Sequence, residues 1–341
     1  MTRPAFRSPY RAIALVLSLA ATADAMCAEV DPALPRYAPA EVEIARTEPW
    51  LTSDGAIRIV GYNDMQNMFD AFVARYAAAH PGTRFQLELT GTRAAPPALA
   101  ADTSALAPMG AEFTPDQRAE YRRATHGSDP IEFRVAHASL DPRALSGPLA
   151  VFVNTSNPLR ELTLAQLAQV FSGKATHWRD LGMRGDWADR AIHLYAMEPD
   201  TPLALSFYER VLGKTSPAQP VAQFHQSRDT IDHVGADPLG IGFAAAMRAT
   251  DQVRVLALAA KPGAPPVLPT EADIRAGRYP LDRWLLIYAR APLTAFAREF
   301  LRLVLSRDGQ QIIAATPQHY LPLSAAEAAH ERAKLETGSD R

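Results

Sequence analysis

A strand, a helix and a second strand follow one another where the ordered part of the chain begins, and that order restricts the fold more than any other feature. Ile57-Arg58-Ile59-Val60 is a short alternating strand that ends at Gly61. Met65, Met68, Phe69, Phe72, Val73 and Tyr76 then recur at helical spacing, and His80-Pro81-Gly82 stops the run. Phe85-Gln86-Leu87-Glu88-Leu89 reads as a second strand. Two strands joined through a helix pair in parallel, by a right-handed crossover. An α/β fold is therefore expected from about residue 57 onward.

A similar order returns after residue 147. Leu149 to Val153 reads as a buried strand, and Thr163-Leu164-Ala165-Gln166 as a capping box. In such a box the Thr hydroxyl accepts a free helix N–H, and the Gln side chain reaches back to the Thr N–H. The helix that follows presents Leu164, Leu167, Val170 and Phe171 to a core, and Gly173 suits a left-handed stop. Further strands are expected at Ile192 to Ala196, Val221 to His225 and Ile241 to Ala245. A proline-rich stretch, Lys261 to Pro269, separates them from a last strand, Trp284 to Ala289, and an amphipathic helix, Phe296 to Leu305. Residues 29–56 are proline-rich and weakly periodic, an irregular lead-in. The chain thus reads as two α/β units with one long middle insertion.

The first residues carry an export signal. Arg3, Arg7 and Arg11 precede an apolar run from Ala12 to Ala21, and Ala23-Asp24-Ala25 is a small-x-small cleavage site. The run falls short of the ~20 apolar residues a bilayer core requires, so a cleaved leader with its cut after Ala25 is expected rather than a membrane anchor. Asp24-Ala25-Met26 is a poor approach to a lipidated cysteine, and Cys27 is expected to stay unmodified. Cys27 is also the single cysteine, so burial of apolar side chains, not a disulfide, has to hold the fold. The whole chain has 35 Lys and Arg against 37 Asp and Glu. Three of the bases and one of the acids lie within residues 1–25, which leaves 32 against 36 after cleavage. A mildly acidic chain with no basic run is a poor ligand for nucleic acid or an anionic membrane surface.

Three blocks resemble the phosphate-binding periplasmic proteins of ABC importers. The first holds Ser156-Asn157-Pro158, Leu162-Thr163, Gln166-Leu167, Phe171-Ser172-Gly173-Lys174, Trp178 and Leu181-Gly182. The second is Pro269-Thr270-Glu271, Ile274, Gly277 and Tyr279-Pro280-Leu281-Asp282-Arg283, and the third Leu305-Ser306-Arg307-Asp308-Gly309-Gln310 with Leu321-Pro322-Leu323. They stand in the family's order over roughly residues 55–325. The resemblance implies a type II periplasmic-binding-protein fold, two doubly wound α/β lobes joined at a hinge. Lobe I would take residues 50–147 and 278–325 and lobe II residues 148–277, with a signal peptide at 1–25, a lead-in at 26–49 and a tail at 326–341. The chain would cross at about Leu145 to Leu149 and again near Pro280 to Leu285. A small solute would lie between the lobes, at loops after strand C-ends. An ABC permease would be the protein partner, the protein would be a periplasmic monomer, and no cofactor or metal is implied.

The family holds phosphate with hydroxyls, backbone N–H groups at helix N-termini and an arginine. Carried over loop by loop, the first candidate site is Gly61-Tyr62-Asn63-Asp64, where Asn63 and Asp64 either meet ligand or cap the following helix. The second is Gly91-Thr92-Arg93, which keeps the family's glycine and hydroxyl, and Arg93 is the cation of these loops. An exposed surface charge is the plainer reading of Arg93. The third, Gly110-Ala111-Glu112, lacks the family's hydroxyl and base, and Thr114, Pro115 and Gln117 open a helix. The fourth stands where the family has Arg-Glu-Pro-Gly-Ser-Gly-Thr, and here it reads Met197-Glu198-Pro199-Asp200-Thr201-Pro202-Leu203. Met197 replaces the arginine and Pro202 removes a donor. Glu198 and Thr201 remain as polar candidates, with Thr201 equally a helix cap. Asn63, Thr92 and Arg93 are expected to converge on a polar solute, and inorganic phosphate to bind weakly or not at all.

Catalytic motifs are missing. The chain has no Gly-x-Ser-x-Gly elbow and no His-Glu-x-x-His helix, and His225 and His233 stand eight apart, off any shared ligand face. A binding protein rather than an enzyme is expected. Two classes stay open at this point: a receptor that delivers solute to an importer, and a binding-protein fold reused as an interaction or sensory module without transport.

Overall fold

The computed structural model describes residues 29–336 apart from Lys214 and Val221. The expected leader at residues 1–25, Cys27 and the first residue of the strand expected at Val221 lie outside the described residues.

Strand β1 (Ile57–Val60), helix α1 (Gln66–Ala79) and strand β2 (Phe85–Glu88) form the expected parallel unit, with Ile57 opposite Phe85 and Val60 opposite Glu88. Helix α1 buries Met68, Phe69, Phe72 and Tyr76, the same stripe its spacing marked. The chain continues through α2 (Ala95–Ala100), β3 (Ala107–Met109), α3 (Pro115–Ala124) and β4 (Ile131–His137). It then crosses into a second body, composed of β5 (Leu149–Asn154), β6 (Glu161–Thr163), α4 (Leu164–Phe171), β7 (His193–Met197), α5 (Pro202–Val211), β8 (Ala222–Phe224), α6 (Ser227–Ala236), β9 (Gly240–Ala245), β10 (Val253–Val255), β11 (Ala257–Ala259) and α7 (Glu271–Arg275). It returns as β12 (Trp284–Ala289), α8 (Ala295–Val304), α9 (Arg307–Ala314) and α10 (Ala325–Ala333).

The return completes the first body. Strand β12 lies between β3 and β4, antiparallel to both, and α8 brings Phe296 and Phe300 onto the rings of α1. The Phe69 and Phe300 rings stack at 5.9 Å, and Tyr76 meets Phe296 edge-on at 5.6 Å. Contacts of this kind add to the burial of large apolar rings. In the second body a five-stranded sheet runs in the order β10-β5-β9-β7-β8. Strands β5 and β9 are buried at every position, because helices cover both faces and an unbroken apolar run suits a strand with no wet side. The capping box at Thr163 and Gln166 is formed, and Gly173 takes a φ of 77°.

The two crossing segments lie side by side. Leu149 N–H donates to the Leu281 carbonyl at 3.0 Å and Ala138 N–H to the Arg283 carbonyl at 2.8 Å, while Tyr279 Oη donates to the Leu149 carbonyl at 2.7 Å.

Residues 29–49 and the described part of the expected tail, up to residue 336, are more structured than the sequence reading held. The lead-in has no helix or strand from residue 29 to 49, yet Leu34, Tyr37 and Trp50 are buried in the first core, and Tyr37 Oη donates to Glu299 Oε1 at 2.8 Å. Residues 326–341 were expected to form a tail, but α10 spans their start. Its N-terminus is a capping box between Ser324 and Glu327. Ala328 and Leu335 are buried against the first core, and Glu331 Oε2 accepts the Arg134 N–H at 3.0 Å.

Candidate functional site

A cleft of about 800 Å³ opens between the two bodies. One wall comes from the first body: Thr92 and Arg93 after β2, Ala111 to Pro115 after β3, Gln117 and Arg118 on α3, and Glu132 and Arg134 on β4. The other wall is one face of α5. Pro202, Leu205, Ser206, Glu209 and Arg210 recur there at three- and four-residue spacing, while Ala204, Phe207 and Val211 turn into the second core. A second hollow, about 720 Å³, lies along Leu51 to Gly55 and Pro81 to Arg84. It belongs to the first body alone and sits at the N-terminal ends of β1 and β2. Open α/β sheets bind ligands at the carboxyl ends of their strands, so the inter-body cleft is the candidate site.

The loop after β1 does not reach this cleft. The backbone enters its short 3-10 turn at Tyr62, and no side chain caps it, which corrects the expectation that Asn63 or Asp64 would cap the helix. The Tyr62 N–H is already taken by the Pro108 carbonyl at 2.9 Å. Asp64 faces the crossover: its Oδ2 accepts the Leu145 N–H at 2.8 Å and the Tyr320 hydroxyl. Burial, with the charge and hydrogen bond of Asp64 adding to it, pushes the Tyr320 hydroxyl far above its ordinary range. Asn63 is exposed and lines none of the cleft. The convergence of Asn63 with Thr92 and Arg93 is therefore not what the structure places there.

The loops after β2 and β3 meet. Gly91 holds a φ of 138°, open to glycine and strained for other residues, and Thr92 Oγ1 accepts the Gly110 N–H at 3.4 Å. Gly110 has no room for a side chain, since a Cβ there would come within 2.3 Å of the Tyr62 ring. Its carbonyl accepts Ser146 Oγ at 3.1 Å and Arg283 Nη2 at 3.0 Å. Arg93 is exposed and has no ion pair or hydrogen bond among the described residues. Thr114 and Gln117 form the full capping box of α3.

In the loop after β7, Asp200 lines the cleft, while its neighbours are engaged within the second body. Met197 is buried, and Glu198 pairs with His225, Oε2 to Nδ1 at 3.0 Å. Thr201 caps α5, accepting the Ala204 N–H at 3.3 Å and donating to the Glu198 carbonyl at 2.7 Å. Of the nine residues singled out in the sequence, Thr92, Arg93 and Ala111 line the cleft, and Gly91 and Gly110 shape its rim. Asn63, Asp64, Glu198 and Thr201 are engaged or exposed away from it.

Sequence reasoning missed two cations of the cleft walls. Arg134 leaves β4 on the face opposite Phe133 and Val135, which enter the core, and its guanidinium lies 5.1 Å over the Trp284 ring. Arg210 reaches across the cleft, with Nη2 3.5 Å from Glu112 Oε1, and donates to the Asp282 carbonyl. Burial holds its pKa below the ordinary guanidinium value. Glu112 and Asp282 pull it back up, while Arg283 and Arg134 push it down. The strand alternation of residues 131–135 and the four-residue step from Ser206 to Arg210 were readable signals, but which face meets the cleft is a tertiary fact. Glu132 accepts the Tyr288 hydroxyl at 2.5 Å, and Asp200 and Glu209 stand exposed on the cleft wall. Among the described residues no three His, Cys, Asp or Glu side chains gather as metal ligands.

A family model described as "PBP superfamily domain" matches residues 46–308. The phosphate-binding protein PstS of Pseudomonas aeruginosa is 30% identical over 310 residues, covering 87% of this chain and 89% of that one. Among solved structures, an ABC-type phosphate transport receptor from Vibrio cholerae superposes with a TM-score of 0.53 at 19% identity, over 77% of this chain and 98% of that one. PstS from Borrelia burgdorferi superposes with a TM-score of 0.53 at 17% identity, over 78% and 98%. These structural likenesses concern the fold: two α/β lobes about a cleft.

Proposed function

Because the chain belongs to the PBP superfamily, and within it to the phosphate-binding-protein type of ABC-importer receptor, we propose that it is an exported, periplasmic solute receptor for an importer, whose cleft takes a small organic polar solute in preference to inorganic phosphate. The reading supposes hinge closure of the two bodies about the crossing segments, as in other binding proteins, and delivery of the solute to a membrane permease. It assigns the protein no chemistry on the ligand. Among the described residues no helix is long and apolar enough to cross a membrane.

One observation carries the preference: the make-up of the cleft walls. Phe113, Leu205 and Tyr208 stand among Arg93, Arg118, Arg134 and Arg210, in a space of about 800 Å³. That volume suits an organic ligand and is far larger than a bare oxyanion. The donors by which the family grips phosphate are replaced or engaged. Ala111 and Glu112 occupy the third loop, Met197 is buried and Thr201 caps a helix. A dianion set about 4 Å from a carboxylate such as Glu112 meets a repulsion of about 4 kcal/mol per unit-charge pair at an effective dielectric near 20. A thermal-shift screen of ligand-stripped mature protein against amino acids, organic acids, cations and inorganic oxyanions tests the reading, because a ligand bound only by the native state raises Tm. An organic solute should give the largest rise. A screen in which inorganic phosphate alone raises Tm would overturn the preference.

A further inference from the structure

Beside the cleft, Arg283 has an unpartnered guanidinium nitrogen and Arg210 a carboxylate contact no closer than 3.5 Å. Arg283 is 4% exposed, its Nη2 donates to the Gly110 carbonyl, and its Nε has no hydrogen-bond partner. Among the described residues no carboxylate pairs with it. Arg210 sits near enough to feel both Arg283 and Arg134, and its carboxylate contact is Glu112 at 3.5 Å. The Asp282 carboxylate, beside buried Arg283 and half-buried Arg210, is engaged elsewhere. Its Oδ2 lies 2.6 Å from His137 Nδ1 and its Oδ1 accepts the Arg283 N–H at 2.7 Å. Of the three, Arg283 is buried, Arg210 half-buried and paired with Glu112, and Arg134 exposed. A buried charge without a close partner is costly.

Beside them is a second unmet group. Ser206 is 4% exposed and stands one helical turn before Arg210, on the face of α5 that walls the cleft. Its Oγ has no hydrogen-bond partner. Native proteins satisfy nearly all such buried groups. An orphan hydroxyl beside Arg210 on the α5 wall, with Arg134 on the opposite wall, suits one kind of ligand group: an oxyanion with lone pairs for all three.

We infer that the anionic group of the solute, a carboxylate or the phosphate of an organic ester, seats on Arg210, Arg134 and the Ser206 hydroxyl, displacing Glu112, which serves as the internal counter-ion when the cleft is unloaded. This rests on the reading of the cleft as a solute site, and it locates the anion contact on the interior of α5 and on β4 rather than at the helix N-termini. The forked guanidinium of Arg210 matches a planar oxyanion. The Phe113, Leu205 and Tyr208 surfaces are left for the organic body of the ligand.

Calorimetric titrations with citrate and with inorganic phosphate, at fixed ionic strength, test it on wild type, Glu112→Gln, Ser206→Ala and Arg134→Gln. Removing the internal competitor in Glu112→Gln should tighten citrate by about tenfold, and Arg134→Gln should loosen it by about tenfold or more, the scale of one charge-assisted contact. Ser206→Ala should loosen it by a factor of roughly three to ten. The Ser206 change removes an unpaired hydroxyl and leaves the fold intact, and a gain in Glu112→Gln cannot arise from misfolding. If citrate binds wild type and all three variants equally, the subsite is wrong while the cleft still takes organic solutes. If no variant binds either anion, the subsite is overturned. If wild type prefers inorganic phosphate but the variants still move in the stated directions, the subsite holds and the preference for an organic solute falls.

Discussion

Raising the pH from 6 to 9.5 should cost this protein stability through a single buried histidine. His137, 0% exposed at the end of β4, has Nδ1 2.6 Å from Asp282 Oδ2 and Nε2 3.3 Å from Glu327 Oε2. Both ring nitrogens face carboxylates, and only the doubly protonated imidazolium donates to both. Burial by itself would push its pKa down. The hydrogen bonds and charges of Asp282 and Glu327 outweigh burial and hold it up at about 9, against an ordinary 6.5. A folded-state pKa above the unfolded one means that the contribution is complete below pH 6.5 and is lost as pH rises through 9. A gap of that size corresponds to about 3 kcal/mol, and it joins β4 to the return crossover at Asp282 and to α10 at Glu327. Urea unfolding at half-unit pH steps, on wild type and His137→Gln, reads it. The wild type should lose about 3 kcal/mol more than the variant between pH 6 and 9.5, and Glu327→Gln should fall between the two. Parallel stability curves for wild type and His137→Gln would refute the reasoning.

Two further outcomes follow from packing and capping. Gly110→Ala forces a methyl against the Tyr62 ring and should lower stability by about 1–3 kcal/mol, the usual range for overpacking, read as a drop in Tm. Thr201→Ala removes the cap of α5 and should cost about 1 kcal/mol. It should leave the affinity for any cleft ligand unchanged in calorimetry, because the hydroxyl is already engaged by the protein.

What the sequence disclosed was governed by short range. The β1-α1-β2 unit, the Thr163 box and the bounds of β12 were readable because periodicity and capping act within a few residues. That β12 inserts between β3 and β4 was not readable, because the pairing joins segments separated by the whole second body. Helix α10 had a local signal, the Ser324 and Glu327 box, but its docking rests on the distant first core against which Ala328 and Leu335 pack. In the site, loop position did put Thr92 and Arg93 along the cleft. At Asp64 and Glu198 the side chains turn to partners far away in the chain, Leu145, Tyr320 and His225. Asn63 is exposed outside the cleft lining, and Thr201 is the helix cap the sequence also allowed. Arg134, Ser206 and Arg210 carry no motif. Their place on the cleft comes from the docking of two bodies.

The most direct test of the account is a calorimetric titration of ligand-stripped mature protein with inorganic phosphate, repeated on Arg93→Ala. Arg93 is the exposed cation of the cleft that the family-like loop supplies, and its loss should weaken whatever phosphate affinity exists, leaving only what Arg134 and Arg210 supply. The account predicts a Kd for phosphate weaker than roughly 100 μM, and weaker still in Arg93→Ala. A micromolar or tighter Kd that Arg93→Ala leaves unchanged would contradict it.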